Sequence, residues 1–196
     1  MDAKNLNINI NRLTEDVKKL VFDQLPRKVG VIATNHFKDN FRKSGFVNGG
    51  VRPWQKTKRQ MSNLPGANSR WGPLTSSRNH LMSSIESHPG VGEVSIVTPV
   101  PYASIHNEGG NITTHPTVTP QMRKFAWAMA YSLAGNKPLT KDIPAEAQKW
   151  KGLALTKKKN ITIHANIPKR QFMGDSLELN KKIETTIEKE LSKLIK

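Results

Sequence analysis

Eight glycines and prolines fall between residues 45 and 73: Gly45, Gly49, Gly50, Pro53, Pro65, Gly66, Gly72 and Pro73. Glycine raises the entropic cost of an element interior and proline removes a backbone donor, so no long helix or strand can cross this stretch. The chain is thereby constrained to a block before residue 45 and a block after residue 73, joined by an irregular segment. A loop of this length is either functional or disordered. It also gathers charge and aromatic rings, with Trp54 and Trp71 set among Arg52, Lys56, Lys58, Arg59 and Arg70. Two readings stay open. The cations neutralise phosphates while the tryptophans stack on bases, or the tryptophans pin the loop to a core while the cations stay solvated.

Ahead of the loop, the spacing predicts two amphipathic helices. Thr14 followed by Glu15 and Asp16 has the chemistry of a helix start, and Leu13, Val17, Leu20 and Val21 recur at helical intervals. Pro26 suits the first position of a second helix, whose stripe is Val29, Ile32, Ala33, Phe37 and Phe41, with Gly45 as its terminator. Behind the loop, Leu74 to Ile85 reads as a short helix capped by Thr75 or Ser76, and Glu93 to Thr98 as a strand. Tyr102 to His106 is expected to form a short strand or a tight turn ending at Gly109 and Gly110. The β-branched run from Ile112 to Thr119 reads as an edge, because Pro116 cannot donate to a ladder. Thr119-Pro120 opens a further helix, and Pro144 to Gly152 makes another around Trp150. Ile161 to Ala165 alternates as a strand, and Asp175-x-x-Glu178 has the spacing of a capping box before the last helix. The expected fold is α+β: a small, mainly antiparallel sheet flanked by an N-terminal helix pair and a C-terminal helix. Residues 1–196 read as one domain, with 45–73 as a basic loop and 120–158 as a helical insertion.

Charge sharpens this division. The 196 residues carry 31 Lys+Arg against 15 Asp+Glu, a formal +16. Residues 1–39 hold 7 cations and 5 anions and residues 175–196 hold 5 of each, which leaves 19 cations and 5 anions for residues 40–174. Ordinary surfaces mix their signs, so the middle of the chain, Lys157, Lys158 and Lys159 included, is expected to meet an acidic protein or DNA. Cysteine is absent, which excludes disulfide scaffolds and thiol chemistry. No apolar run approaches the ~18 residues of a membrane span and no signal-peptide core is evident, so the expectation is a soluble protein made in a cytoplasm, without membrane partners.

Catalytic patterns are wanting. None of the six histidines forms H-x-x-x-H or H-E-x-x-H. There is no G-x-S-x-G elbow, and the basic middle has too few carboxylates for a metal-dependent nuclease. The expectation is a non-enzymatic protein without metal or cofactor. An enzyme would instead gather His106, Glu108 and another carboxylate in one cleft.

Three segments carry a resemblance. Gly72 to Ile85 (GPLTSSRNHLMSSI) resembles the pattern I-L-x-x-[ST]-G-x-L-x-x-S-I, with Asn79 in the glycine-like position. Val100 to Gly110 (VPYASIHNEGG) resembles V-x-Y-A-x-I-H-[QN]-x-G-G, and Ile167 to Gly174 (IPKRQFMG) resembles I-P-A-R-P-F-[LM]-G. Lys169 and Gln171 depart from the commoner small residue and proline. In this order, with a helix pair before them and Trp54 in a basic loop, they are similar to the virion-morphogenesis family of tailed phages, the Mu-like tail-completion or head–tail joining group. The resemblance spans roughly residues 12–195. It implies a structural component of the head-proximal end or neck of a phage or prophage tail, assembled in the host bacterial cytoplasm. Such a component acts by oligomerising, plausibly as a ring, and by contacting neighbouring tail or connector proteins. Tyr102, Ile105, His106, Gly109, Gly110, Pro168, Arg170, Phe172 and Gly174 are then structural motif residues. Arg170 and Phe172, two apart, point the same way in an extended stretch; Phe172 is expected to lock the last helix while Arg170 bonds a nearby carbonyl or carboxylate. The alternative is a non-specific nucleic-acid-binding protein that uses the basic 45–73 and 149–170 segments.

Overall fold

A computed structural model describes residues 3–61, 71–135, 138–139 and 142–194. The architecture is α+β, with an N-terminal helical run, a C-terminal helix and small antiparallel ladders between them. The chain clusters into two compact units, residues 1–110 with 167–196, and residues 111–166. The second takes in the insertion expected at 120–158 together with the strands on either side of it.

In the first unit, α1 (Ala3–Lys19) continues through a π-helical turn (Leu20–Gln24) into α2 (Leu25–Arg42). One expectation is corrected here and one qualified. The helix does not begin at Thr14, because Leu6, Ile10, Leu13 and Val17 already follow helical spacing through the asparagine-rich lead. Pro26 does lie in the first turn of α2, but no break separates that helix from α1. Proline has no N–H for the carbonyl of Phe22 four residues back. The helix widens instead, with the Leu25 N–H donating to the Leu20 oxygen. The orphaned Phe22 oxygen accepts from the Gly92 N–H at 3.1 Å.

The helix ends at Arg42, Lys43 caps it, and Gly45 lies in a strand beyond. β1 (Gly45–Val47) pairs with β2 (Val51–Pro53) around the turn Asn48-Gly49-Gly50. Residues 58–61 form one turn of helix, α3 (Lys58–Met61). The expected helix over 74–85 shrinks to α4 (His80–Ser83), because Leu74 and Asn79 both adopt positive φ, a helix-breaking geometry. A hairpin follows, in which β3 (Glu86–Pro89) pairs with β4 (Val94–Val97) and Ser87 opposes Ile96. Gly30 of α2 is buried where a Cβ would stand 2.9 Å from the Ser87 Cβ, so only glycine lets the helix lie this close to the hairpin. Residues 103–108 are helical, forming α5 (Ala103–Glu108), and not the strand or turn expected. Pro101 lies just ahead of this helix, and the Ala103 N–H bonds the Val100 oxygen to start it.

The core of this unit is Ala33, Phe37, Phe41, Trp54, Leu81, Ile85, Val100, Ala103, Phe172 and Leu179. It is closed by the last helix, α8 (Leu177–Leu194), numbered after the two helices of the second unit. The expected capping box is replaced. Ser176 Oγ accepts from the Leu179 N–H at 3.3 Å, whereas the Glu178 carboxylate accepts the N–H groups of Gly49 and Gly50 at 3.1 and 2.9 Å. Those bonds hold the Glu178 carboxyl below its ordinary pKa. Further along, Glu190 pairs with Lys28 of α2 and with Lys193, which lowers its carboxyl to about 2.

The second unit is a two-stranded ribbon with a helical hairpin. β5 (Gly110–Thr114) pairs with β6 (Ile163–Ile167), and the Thr117–Asn160 bridge extends the ladder antiparallel. Alternate positions on one face bond across it. Asn166 donates to Asn111, and Thr113 and His164, His115 and Thr162, and Thr117 and Asn160 are joined at 2.9–3.1 Å. The strand expected over 161–165 is thus displaced by two residues. Thr119 caps α6 (Pro120–Leu133) by accepting from the Met122 N–H, as its sequence predicts. α7 (Ala145–Leu155) packs against α6 through Ala126, Ala130, Ala147 and Ala154, all buried. Ala134, Ile143 and Ala147 form a small core of their own, with Leu133 and Leu139 packed against it. Arg123 fastens the two helices by donating to the carbonyls of Ala154 and Thr156.

Candidate functional site

The second and third of the three sequence segments meet in the first unit. Helix α5 ends at Gly109, whose φ of 76° and N–H bond to the Ile105 oxygen turn the chain. A Cβ at Gly109 would stand 2.7 Å from the Lys169 nitrogen, so the absence of a side chain is what admits the 167–174 strand end. That segment is then bonded residue by residue. The Arg170 N–H donates to the His106 oxygen at 2.8 Å. Asn107 Oδ1 accepts from both Phe172 and Met173 N–H, at 2.9 and 3.0 Å. From the other side, Trp54 Nε1–H donates to the Gln171 oxygen at 2.8 Å, and Asn40 Nδ2 to the Phe172 oxygen at 3.0 Å. Asn40 also accepts the Val47 N–H, so one buried amide ties helix α2 to the β1 strand and to this segment.

The side chains follow the backbone. Phe172 is fully buried, with its ring 5.1 Å from that of Phe41, which in turn meets Trp54 edge-on at 5.5 Å. Arg170 is buried too, and its Nε–H donates to the Gln55 carbonyl at 3.0 Å, the type of partner expected of it. Burial lowers the pKa of its guanidinium. Pro168 and Ile105 are half-buried, and Gly174 has a positive φ beside Gln171. Gly110 leaves room for the Ile105 side chain. Tyr102 is half exposed; its hydroxyl lies 3.2 Å from His80 Nδ1 and its ring stands edge-on to His106 at 5.8 Å.

His106 is pushed below its ordinary pKa by burial and by Arg170, and its Nδ1 is enclosed without a hydrogen-bond partner. Glu108 faces Lys169 at 3.5 Å and the Asn107 amide. The charge acting on His106 is therefore a cation, and not the second carboxylate that an acid–base pair would need. Among the described residues no group of three or more His, Asp or Glu side chains is placed to hold a metal ion.

The basic residues divide between the two units. Arg52 and Lys56 are exposed in the first, and Lys157, Lys158 and Lys159 are exposed in the second. Arg70 lies outside the described residues, as do the side chains of Lys58 and Arg59. Of the two readings open for Trp54, its surroundings favour the pin over the stacking platform. With 8% of its area exposed and its N–H bonded to Gln171, it pins the loop to the core and presents no face to a base. Trp71 is half-buried. The role of Asn40 and Asn107 is not evident from sequence, because an isolated asparagine carries no periodic signal and its partners lie 132 and 65 positions away.

Among the described residues, no helix is long and apolar enough to cross a membrane. Comparison with protein-family models, with curated proteins and with solved structures found no match.

Proposed function

We propose that the chain is a virion assembly component of a tailed phage or prophage, acting in tail completion or head–tail joining through self-association and contacts with tail or connector proteins. The observation that carries this reading is the mutual docking of the 100–110 and 167–174 segments, two of the three that bear the family resemblance. Arg170 bonds the His106 carbonyl, Asn107 holds Phe172 and Met173, and Gly109 gives them room. A motif pair used in this way builds a scaffold and leaves contact to the surface around it. On this reading the chain is a structural protein and not an enzyme, located in the tail or neck of the particle.

Sedimentation velocity over a wide concentration range tests the proposal. It requires concentration-dependent or ring-sized oligomers, alone or with phage tail-tube or connector proteins. A chain that stays monomeric at high concentration and binds none of those proteins overturns it.

The alternative, non-specific binding to DNA, is favoured by one observation: Arg52, Lys56 and Lys157–Lys159 are exposed and have no carboxylate partner among the described residues. It is weakened by the burial of Trp54, which removes the aromatic half of a single-strand platform.

A further inference from the structure

The second unit contains a groove that its own architecture leaves unfilled. Met122 and Phe125 of α6, Trp150 and Leu153 of α7, and Ile161 and Ile163 of the ribbon line a space of about 450 Å³. Its origin is geometric. The face of the ribbon opposite the bonded Asn, Thr and His pairs carries Ile161 and Ile163, and the alanines joining α6 to α7 bury only one side of that helix pair. Phe125 stays 51% exposed and Ile163 38%, although each is large enough to close a core. No charged side chain lines the groove.

Around it the charge is one-sided. Residues 111–166 hold nine Lys+Arg and two acids, Asp142 and Glu146. Lys124 precedes Phe125, Lys149 precedes Trp150, and Lys157–Lys159 lie two to four positions ahead of Ile161. All five are exposed, and none pairs with a carboxylate among the described residues.

We infer that this groove is a docking site for an acidic polypeptide segment that inserts one large apolar side chain. Positive charge around an apolar cleft selects a negative partner with an apolar anchor. DNA satisfies the charge but not the cleft. Phe125 and Trp150 already pack edge-to-face on one another at 5.6 Å, and the rest of the lining is apolar apart from Thr119 and Gln121, a wall that suits a leucine or phenylalanine better than a stacked base. The inference stands apart from the virion reading, since it requires only an acidic partner.

Fluorescence anisotropy on the full chain tests it. The probes are labelled 12-residue peptides of alternating Glu and Ser with a central Leu, Phe or Trp, the same peptide with a central Ala, and a 12-nucleotide oligo-dT. At least one anchored peptide should bind, and the Ala peptide should bind tenfold more weakly or worse. Ile163→Glu should abolish anchor dependence. Charge reversal at Lys157, Lys158 and Lys159 should weaken all peptides and flatten their salt dependence, with circular dichroism verifying that each variant is folded. Three results overturn the inference: anchor-independent binding, oligo-dT binding more tightly than every peptide, or self-association lost in Ile163→Glu without any peptide binding.

Discussion

Asn40→Ala should destabilise the first unit far more than the loss of one small polar side chain suggests. Asn40 is fully buried, and its amide is used at both ends, with Nδ2 on the Phe172 carbonyl and Oδ1 on the Val47 N–H. Truncation leaves a buried acceptor and a buried donor without partners, and each orphan costs about 1–3 kcal/mol. The expected loss is therefore about 2–6 kcal/mol, a large share of the about 5–15 kcal/mol typical of a whole domain. Asn40→Asp keeps an acceptor for Val47 but sets a carboxyl oxygen against the Phe172 oxygen. It should be worse still at neutral pH and partly relieved on acidification, when a protonated Asp can donate. Asn107→Ala should interact with Asn40→Ala by more than 0.5 kcal/mol in a double-mutant cycle, because both amides hold the Phe172 peptide. The assay is urea unfolding followed by fluorescence in a background in which Trp71, Trp127 and Trp150 are replaced by phenylalanine, leaving Trp54, which sits in the core beside Phe41 and so reports this unit alone. A loss below about 0.5 kcal/mol with an unchanged denaturant slope would refute the argument that these bonds close the unit.

Two further outcomes follow from the same core. His36 is buried, with Nε2 unpartnered and its pKa held below the ordinary 6.5 by desolvation and by Lys182. The unfolded chain therefore binds more protons than the folded one just below pH 6.5. Stability should fall as pH drops through that range, and unfolding midpoints between pH 7.5 and 5.0 should show it less steeply in His36→Gln. Gly109→Ala should cost clearly more than Gly49→Ala, although both glycines have φ between 60° and 80°. Both positions impose positive-φ strain, but Gly109, with ψ of 175°, lies in a region almost reserved for glycine that costs about 1–3 kcal/mol, and only there does the new Cβ stand 2.7 Å from backbone; thermal unfolding of the two variants gives the comparison.

The elements that sequence locates best are those whose signals are local. Thr119-Pro120 supplies both a cap and a fixed first turn, and the helix begins there. The stripe of the last helix is legible for the same reason, although Glu178 spends its carboxylate on Gly49 and Gly50. That choice depends on a turn 128 positions away, outside any spacing rule. Tyr102 to His106 misleads because a helix of six residues is too short for periodicity, and its start is fixed by the Val100 carbonyl. The strand Glu86–Pro89 carries no alternation, since its pairing with Val94–Val97 rests on backbone and not on a buried face. Sequence alone leaves Trp54 between two roles. Its N–H partner, Gln171, decides the matter from the far end of the chain.

Residues 111–166 leave the first unit and return to it as an antiparallel ribbon, with Asn111 and Asn166 bonded to one another at 2.8 Å. For the first unit, whatever lies beyond that pair is topologically equivalent to a hairpin turn. Every member of its core, and both segments that dock through Asn107, lie outside the excursion. The closure entropy of the first unit is thus set by the ribbon's base and not by the length of chain carried beyond it. The helical hairpin can lengthen, shorten or be exchanged for another while the first unit keeps its register, so the surface of the excursion and the integrity of the first unit are free to evolve at different rates.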